Sequence, residues 1–405
     1  MKILEGIKKN PLFFILMILC GISCFAIYNA VPIVTNVYNP SRLPYMQLIY
    51  YMLGGILAYM IYRVGMDTMY NNIKLIYWLF MILLIGLAVD HFAYTRLLHH
   101  HVVPLAKFVN GATSWYRLPG FSFQPSEFMK IIVVMYLAQM TKEFNDEQLI
   151  RTANSEFRYI VEVCKIALPP AILIYLQNDS GVMLILMAAV FFVLISSGLR
   201  RQWFILIFAL GFSLIALMTY LFLYHNDIFT RFINGHTLKR IYGWLDPEGT
   251  TADEGLQLWY SMLSYGTASW VGHGMRAVVK VFPEGHTDFI FAVIATDFGF
   301  IGAFITLAAI ITLDVVLLHI GLSSSNDRDQ YFTMGVLGSL MFQQIWNIGM
   351  ILGFLPITGI TLPLISYGGS SLLSYMMAMG VFIDINYNNQ ILDIDSKYTL
   401  KGRKL

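Results

Sequence analysis

About ten times along its 405 residues this chain turns apolar and stays so for most of twenty positions. A helix of about 20 apolar residues is what crosses a bilayer core. Lipid offers no partner to backbone N–H and C=O groups, so spanning segments are helices or closed barrels. The runs here are unbroken and lack the period-2 alternation of an outer-membrane barrel. With 57% hydrophobic and 12% charged residues and a mean hydropathy of +0.64, an ordinary soluble protein is excluded. The expectation is an all-α polytopic membrane protein of about ten transmembrane helices. The spans fall near 12–32, 46–62, 75–92, 127–141, 163–177, 180–198, 203–225, 289–320, 331–353 and 371–385. The second and fifth are the least secure, because polar residues and Pro169–Pro170 interrupt them. The first run is too long for a signal peptide and has no small-residue cleavage motif behind it.

Basic residues set the orientation, because cytoplasmic loops carry an excess of Lys and Arg. One side collects Lys2, Lys8, Lys9, Arg63, Lys74, Lys142, Arg151, Arg158, Lys165, Arg200, Arg201, Arg328, Lys397, Lys401, Arg403 and Lys404. The opposite short loops hold only Arg42, Arg96, Lys107 and Arg117. Both termini are therefore expected in the cytoplasm. The chain reads as one transmembrane domain over 1–405, with residues 226–288 as a long extracellular loop between helices 7 and 8. That loop carries Trp244, Trp259, Trp270, Tyr260 and Tyr265 among Gly and Pro, which suggests short interfacial helices. A net charge of +2 reflects this topology and gives no reason to expect nucleic acid. Cys20, Cys24 and Cys164 suggest neither a disulfide nor a metal site. His99–His100–His101 reads as a solvated run.

Four stretches carry candidate chemistry, all on or opening toward the outer face. In PEGHTDFIFA, residues 283–292, Glu284, His286 and Asp288 crowd the mouth of an apolar helix. Thr287 is the expected N-cap of that helix, and the helix dipole is expected to lower the Asp288 pKa. Ionisable groups so placed suggest a site. Asp288 can accept a proton from a substrate hydroxyl or ligate a divalent cation such as Mg or Mn. In NGATSWYRLPGFSFQPSEFMK, residues 110–130, Ser126 is the expected N-cap, with Glu127 and Lys130 three apart behind it. The two either pair or line a cavity. Lys107 and Arg117 nearby suit a phosphate or diphosphate, as do Lys239 and Arg240 in LKRIYGWLDP, residues 238–247. In SYGGSS, residues 366–371, Ser366 and Ser370 flank glycines whose N–H groups can meet an anion. The whole stretch LPITGITLPLISYGGSS, residues 355–371, is too broken for a simple helix and too apolar for a solvated loop. It fits a re-entrant, cavity-lining segment. Asp297 either shares the Asp288 cavity or bonds internally. No organic cofactor is called for.

These motifs, taken in order, resemble the SEDS family of bacterial shape, elongation, division and sporulation proteins. The resemblance rests on NGATSWYRLPGFSFQPSEFMK, LQNDSGVMLIL, LKRIYGWLDP, the Gly255–Gln257 region, PEGHTDFIFAV and LPITGITLPLISYGGSSLL, spanning 110–373. It implies a peptidoglycan glycosyltransferase of the bacterial cytoplasmic membrane, polymerising lipid II on the outer face in elongation or division. It implies a class B penicillin-binding protein as transpeptidase partner, among other membrane proteins of those complexes. It also implies that the aspartate of the HTDF motif, here Asp288, is essential. Departures are Ser114 where the family often has Arg, QNDSG for the usual QPD-L-G, Thr296–Asp297 for Glu-Glu, and GTAS for a Gly-rich run. They leave Asp288, Glu127 and Lys130 untouched. The QPSEF form and short tails lean toward the RodA-like branch over the FtsW-like one. Two other readings stand beside the polymerase: a lipid II flippase, and a non-catalytic scaffold that activates its penicillin-binding partner.

Overall fold

The computed structural model describes residues 10–402 except 36, 38, 99, 110, 119–120, 148–150, 233–234 and 252–254. Lys2, Lys8, Lys9, His99, Arg403 and Lys404 lie outside the described residues, as do the side chains of Lys397 and Lys401. Long helices stand at all ten expected positions: α1 Pro11–Ala30, α2 Leu43–Val64, α4 Ile73–Phe92, α5 Pro125–Glu147, α6 Ala153–Leu176, α7 Ser180–Ser196, α8 Arg201–Tyr224, α12 Ile290–Leu322, α13 Asp327–Ile351 and α14 Gly369–Gly402. A short α3, Met66–Asn71, links α2 to α4. By length and composition, six stretches among the described residues are fit to cross a membrane. They are Pro11–Ile33, Pro40–Val64, Ile73–Arg96, Ala153–Leu176, Arg201–Tyr224 and Ile290–Leu322. The chain is a multi-pass membrane protein whose membrane bundle is all-helical.

α5 and α13 are less apolar than these six stretches for a physical reason. They are the central helices, and the polar groups that depress their hydropathy face inward, where such groups belong in a membrane bundle. From Met129 to Ala138 every α5 residue except Tyr136 is buried. α13 buries Arg328, Asp329, Gln343, Gln344 and Asn347. α14 packs along α2, and α13 along α7. α8, by contrast, has no buried residue.

The doubtful fifth span is one continuous helix. Pro169 and Pro170 sit inside α6, where each removes a backbone donor. The carbonyl that Pro170 leaves without its helical donor is that of Ile166. Tyr77 on α4 donates its hydroxyl there at 3.0 Å, so a neighbouring helix repairs the ladder. The N-terminus of α6 carries a capping box, Thr152 with Ser155.

Residues 106–123 hold what the apolar pattern did not foresee, a three-stranded antiparallel sheet: β1 Ala106–Val109, β2 Ala112–Leu118 and β3 Phe121–Phe123. The buried Asp90, near the end of α4, moors the approach to it. Asp90 accepts from the N–H groups of Val102 and Val103 and meets the His101 ring at 2.7 Å. His101 stays exposed, as expected of a solvated run, and also serves as an anchor. The cap expected at Ser126 does not form. Pro125 takes the first helical position, and Ser126 lies buried inside the helix.

The 226–288 connection folds into α9 Asn226–Phe232, α10 Gly235–Leu245 and α11 Gly255–Gly266, then irregular chain. Residues 352–368 are also irregular, and from Leu355 onward each is buried or half-buried, as expected of a re-entrant segment. Tyr51 donates to Leu364 O and Trp244 Nε1 to Gly353 O (2.8 Å), tying this segment to α2 and α10.

Candidate active site

The sheet, the re-entrant segment and the turn before α12 converge on a cavity of about 830 Å³. Strand periodicity fixes what the sheet offers it. Trp115 and Arg117 lie two apart on β2 and so share a face. Lys107 pairs directly with Trp115 across the ladder, which puts it on that face as well. Lys107 and Arg117 both line the cavity, while Tyr116 points the other way and donates to Leu83 O at 2.9 Å. Ser370 joins sheet to bundle, donating to Ser122 O (2.7 Å) and accepting from Gln124 N (3.0 Å).

Asp288 sits on the same cavity, in a turn held from three sides. Asn347 Nδ2 donates to Asp288 O at 2.6 Å and to Ile360 O at 2.7 Å. Ser366 Oγ donates to Thr287 O at 2.7 Å, and Tyr367 N to His286 O at 2.9 Å. The turn is thus fixed by main-chain contacts that leave the carboxylate facing the cavity. α10 brings Arg240 to the same spot, with Nη1 on Thr358 O at 3.0 Å. Gly359, at φ +74°, lies between the two. A Cβ there would come within 3.3 Å of Asp288 Oδ2 and 3.5 Å of Arg240 Nη2, so glycine makes room for the pair.

Burial, reinforced by Glu284, pushes the Asp288 carboxyl up to about 7, against the pull of the Arg240 guanidinium. This overturns the expected lowering by the helix dipole. α12 begins only at Ile290, its N-cap position is Phe289, and desolvation outweighs a dipole felt within the first turn. Thr287 is not the cap either. Its hydroxyl donates to Glu284 Oε2 at 2.6 Å and so aims a second carboxylate at the cavity.

Across the cavity, Glu127 faces the space while Lys130 does not. Lys130 is fully buried, its Nζ 2.5 Å from Glu127 Oε2 and 4.1 Å from the centre of the Tyr375 ring. The i,i+3 pair closes on itself, so Lys130 holds Glu127 and is out of reach of a ligand. Four more candidates also lie off the wall. Lys239 is exposed on α10 beside the inward Arg240. His286 is buried beneath Tyr367, and burial holds its ring pKa below the ordinary value. Ser366 spends its hydroxyl on Thr287 O and Leu362 N. Asp297 bonds internally, to Arg276 N and Ala277 N.

Two wall residues, Gly359 and Asp179, went unremarked in the sequence, as did Asn347, which holds the Asp288 turn from behind. Asn347 did carry a signal, a polar side chain in the middle of an expected span. Asp179 caps α7 through Val182 N at 3.2 Å and accepts from Gln124 Nε2 at 2.7 Å. Burial nevertheless pushes it up to about 6. The cavity therefore sets three cations, Lys107, Arg117 and Arg240, among four carboxylates, Glu127, Asp179, Glu284 and Asp288.

The model for the FtsW, RodA and SpoVE family, described as cell cycle protein, matches residues 10–391. The chain belongs to this family. A relative from Trichlorobacter lovleyi, named probable peptidoglycan glycosyltransferase FtsW, is 32% identical over 292 residues, 71% of this chain and 72% of that one. One from Saccharophagus degradans with the same name is 32% identical over 289 residues, 70% of each chain. Among solved structures, one from work on "structural coordination of polymerization and crosslinking by a peptidoglycan synthase complex" superposes with a TM-score of 0.73 at 25% identity. It covers 94% of this chain and 97% of that one. The crystal structure of Thermus thermophilus rod shape determining protein RodA superposes with a TM-score of 0.64 at 22% identity, with the same coverage, and supports the fold alone. The family model spans the FtsW, RodA and SpoVE branches together.

Proposed function

We propose that the chain is a peptidoglycan glycosyltransferase that polymerises lipid II, with Asp288 as general base. The observation that carries this is the Asp288–Arg240 pair: a proton acceptor whose pKa is pushed up to about 7, beside an anchored guanidinium, on the wall of a cavity. The FtsW-named relatives support the reaction class. Asp288 takes the proton from the acceptor sugar's 4-hydroxyl as that oxygen bonds to the donor's anomeric carbon. The bond from that carbon to the undecaprenyl diphosphate breaks, inverting α to β. Lys107, Arg117 and Arg240 are the cations available to the charge that builds on the diphosphate. Lys130 and Lys239 drop out of that role.

Asp288 and Glu284 offer carboxylate oxygens of the kind Mg or Mn takes, and such ions complete their shell with water and substrate phosphates. Among the described residues no group of three or more His, Cys, Asp or Glu forms a full cage. An ion held there would supply positive charge to the leaving group. The connections at the end of the bundle away from the cavity carry Arg63, Lys74, Lys142, Arg151, Arg200, Arg201 and Arg328. That distribution supports cytoplasmic termini and a cavity on the outer face of a bacterial cytoplasmic membrane. A class B penicillin-binding protein is the partner that would crosslink the product.

The test is polymerisation itself. Purified chain, a partner with its transpeptidase blocked, labelled lipid II and a divalent cation are expected to give long glycan. Lipid II crossing vesicles without glycan would favour a flippase; glycan made only by the partner would favour a scaffold. A pH profile then examines the base. The rate is expected to rise about tenfold per pH unit below the Asp288 pKa and level off above it. Arg240→Gln should move the midpoint up and Glu284→Gln should move it down, because the first removes a charge that lowers this pKa and the second one that raises it. A flat profile would remove Asp288 as the titrating group.

A further inference from the structure

α12 does not run straight. At Gly299 the backbone takes φ 60° and ψ −153°, outside helical space and in a region open to glycine. Such a break inside a spanning helix persists only where other groups take up the freed backbone. The chain between α11 and the Asp288 turn does this. His273 N donates to Thr296 O (2.9 Å) and Gly274 N to Asp297 O (3.0 Å). In return Phe300 N donates to Ser269 O (3.0 Å) and Ile301 N to Trp270 O (3.2 Å). The two backbones meet so closely that a Cβ on Gly299 would lie 2.5 Å from Gly272 N and from Trp270 C. The Asp297 side chain closes the clasp. Oδ2 accepts from Arg276 N at 3.1 Å and Oδ1 from Ala277 N at 3.2 Å, and Asn29 Oδ1 on α1 shares the first of these donors at 2.9 Å.

We infer that Asp297 is a positioning residue for the transfer reaction: by clasping residues 269–277 to the broken helix, it fixes the near end of the stretch that carries Glu284 and Asp288. The inference rests on the reading of Asp288 as base. α12 itself fixes the far end at Ile290. Between the two, Phe282 packs against Phe289 with ring centroids 6.2 Å apart, and Gly285 sits against Ile33. Shortening the free stretch in this way removes conformations from it. Asp297 is buried and off the cavity wall, so its effect on the reaction passes through the turn.

Asp297→Asn keeps the size of the side chain but replaces one of the two acceptor oxygens with a donor. Polymerisation by the full chain with its partner is expected to lose on the order of ten- to a hundredfold in kcat, with KM changed less than about twofold, as befits a misplaced catalytic group. Asp297→Glu, which keeps both oxygens, should recover part of the loss. Amide hydrogen exchange of the same preparations should quicken in 269–277 and in 283–289 while α5 and α13 stay protected. An unchanged kcat would overturn the inference. So would exchange that quickens only in 269–277, or protection lost across the whole bundle, which would mark a residue needed for folding. Asp288→Asn serves as the separate control. If that variant polymerises normally, the base assignment fails, and the exchange of 283–289 still decides whether Asp297 holds the turn.

Discussion

Asp288→Asn is expected to lower glycan polymerisation by roughly 10²- to 10⁴-fold, the contribution of a positioned general base. The substitution preserves shape and volume and removes only the proton acceptor. Stability should not suffer. The folded pKa, about 7, lies well above the ordinary carboxylate value of 3.8, so the folded chain keeps a proton that the unfolded chain has lost. Ionised Asp288 therefore works against folding as pH rises between those values, and the neutral amide relieves that cost. Thermal unfolding of the variant should match or exceed wild type at pH 8. Glycan length on gels, beside a melting curve, separates a lost base from a lost fold. Equal polymerisation by the two proteins would make Asp288 a structural residue and return the site to its other carboxylates.

Position on the bundle, more than identity, decided which charged residues of the motifs reach the cavity. Lys239 and Arg240 are adjacent in sequence, yet successive helical residues point about 100° apart, and only Arg240 turns inward. On β2 and its neighbour, period-2 geometry brings Lys107 and Arg117 together although they are ten positions apart. The outcome suits the proposed chemistry, in which cations meet a diphosphate and carboxylates meet sugar hydroxyls in one cavity.

The spans were legible because burial in lipid demands long apolar runs, and Asp288 was legible because a carboxylate at the mouth of such a run is costly without a task. What escaped the sequence depends on distant partners. Thr287 and Ser126 have the residue types of helix caps, but Glu284 claims the Thr287 hydroxyl and Pro125 displaces Ser126 into the first turn. Ser366 looked like an anion contact until Thr287 O and Leu362 N took its hydroxyl. The sheet at 106–123 was hidden by short strands of mixed polarity beside strong helical signals. Lys130 pairs with Glu127, one of the two readings its spacing allows, but the ring that covers it comes from Tyr375 on α14, far off in the sequence.

That burial leads to the second large expected effect. Lys130→Met should destabilise the protein by about 3–5 kcal/mol, the usual result of stripping one partner from a buried ion pair. Glu127, only 5% exposed, would be left with an uncompensated charge or would take up a proton. The loss should spread to Tyr375, whose ring faces the ammonium and whose hydroxyl donates to Gln343 Oε1 at 2.6 Å, since Gln343 itself lines the cavity. The paired variant Glu127→Gln with Lys130→Met removes both charges, and replacing a whole buried pair is often close to neutral. It should therefore regain most of the lost stability. It should not regain polymerisation, because the cavity wall still lacks its Glu127 carboxylate. Melting temperature in detergent and glycan synthesis, measured on both variants, tell these apart. A single variant as stable as wild type would mean the pair contributes nothing to the fold. A double variant with full activity would mean that Glu127 reaches the cavity without serving the reaction, and would leave Asp288, Arg240 and the sheet cations to carry it.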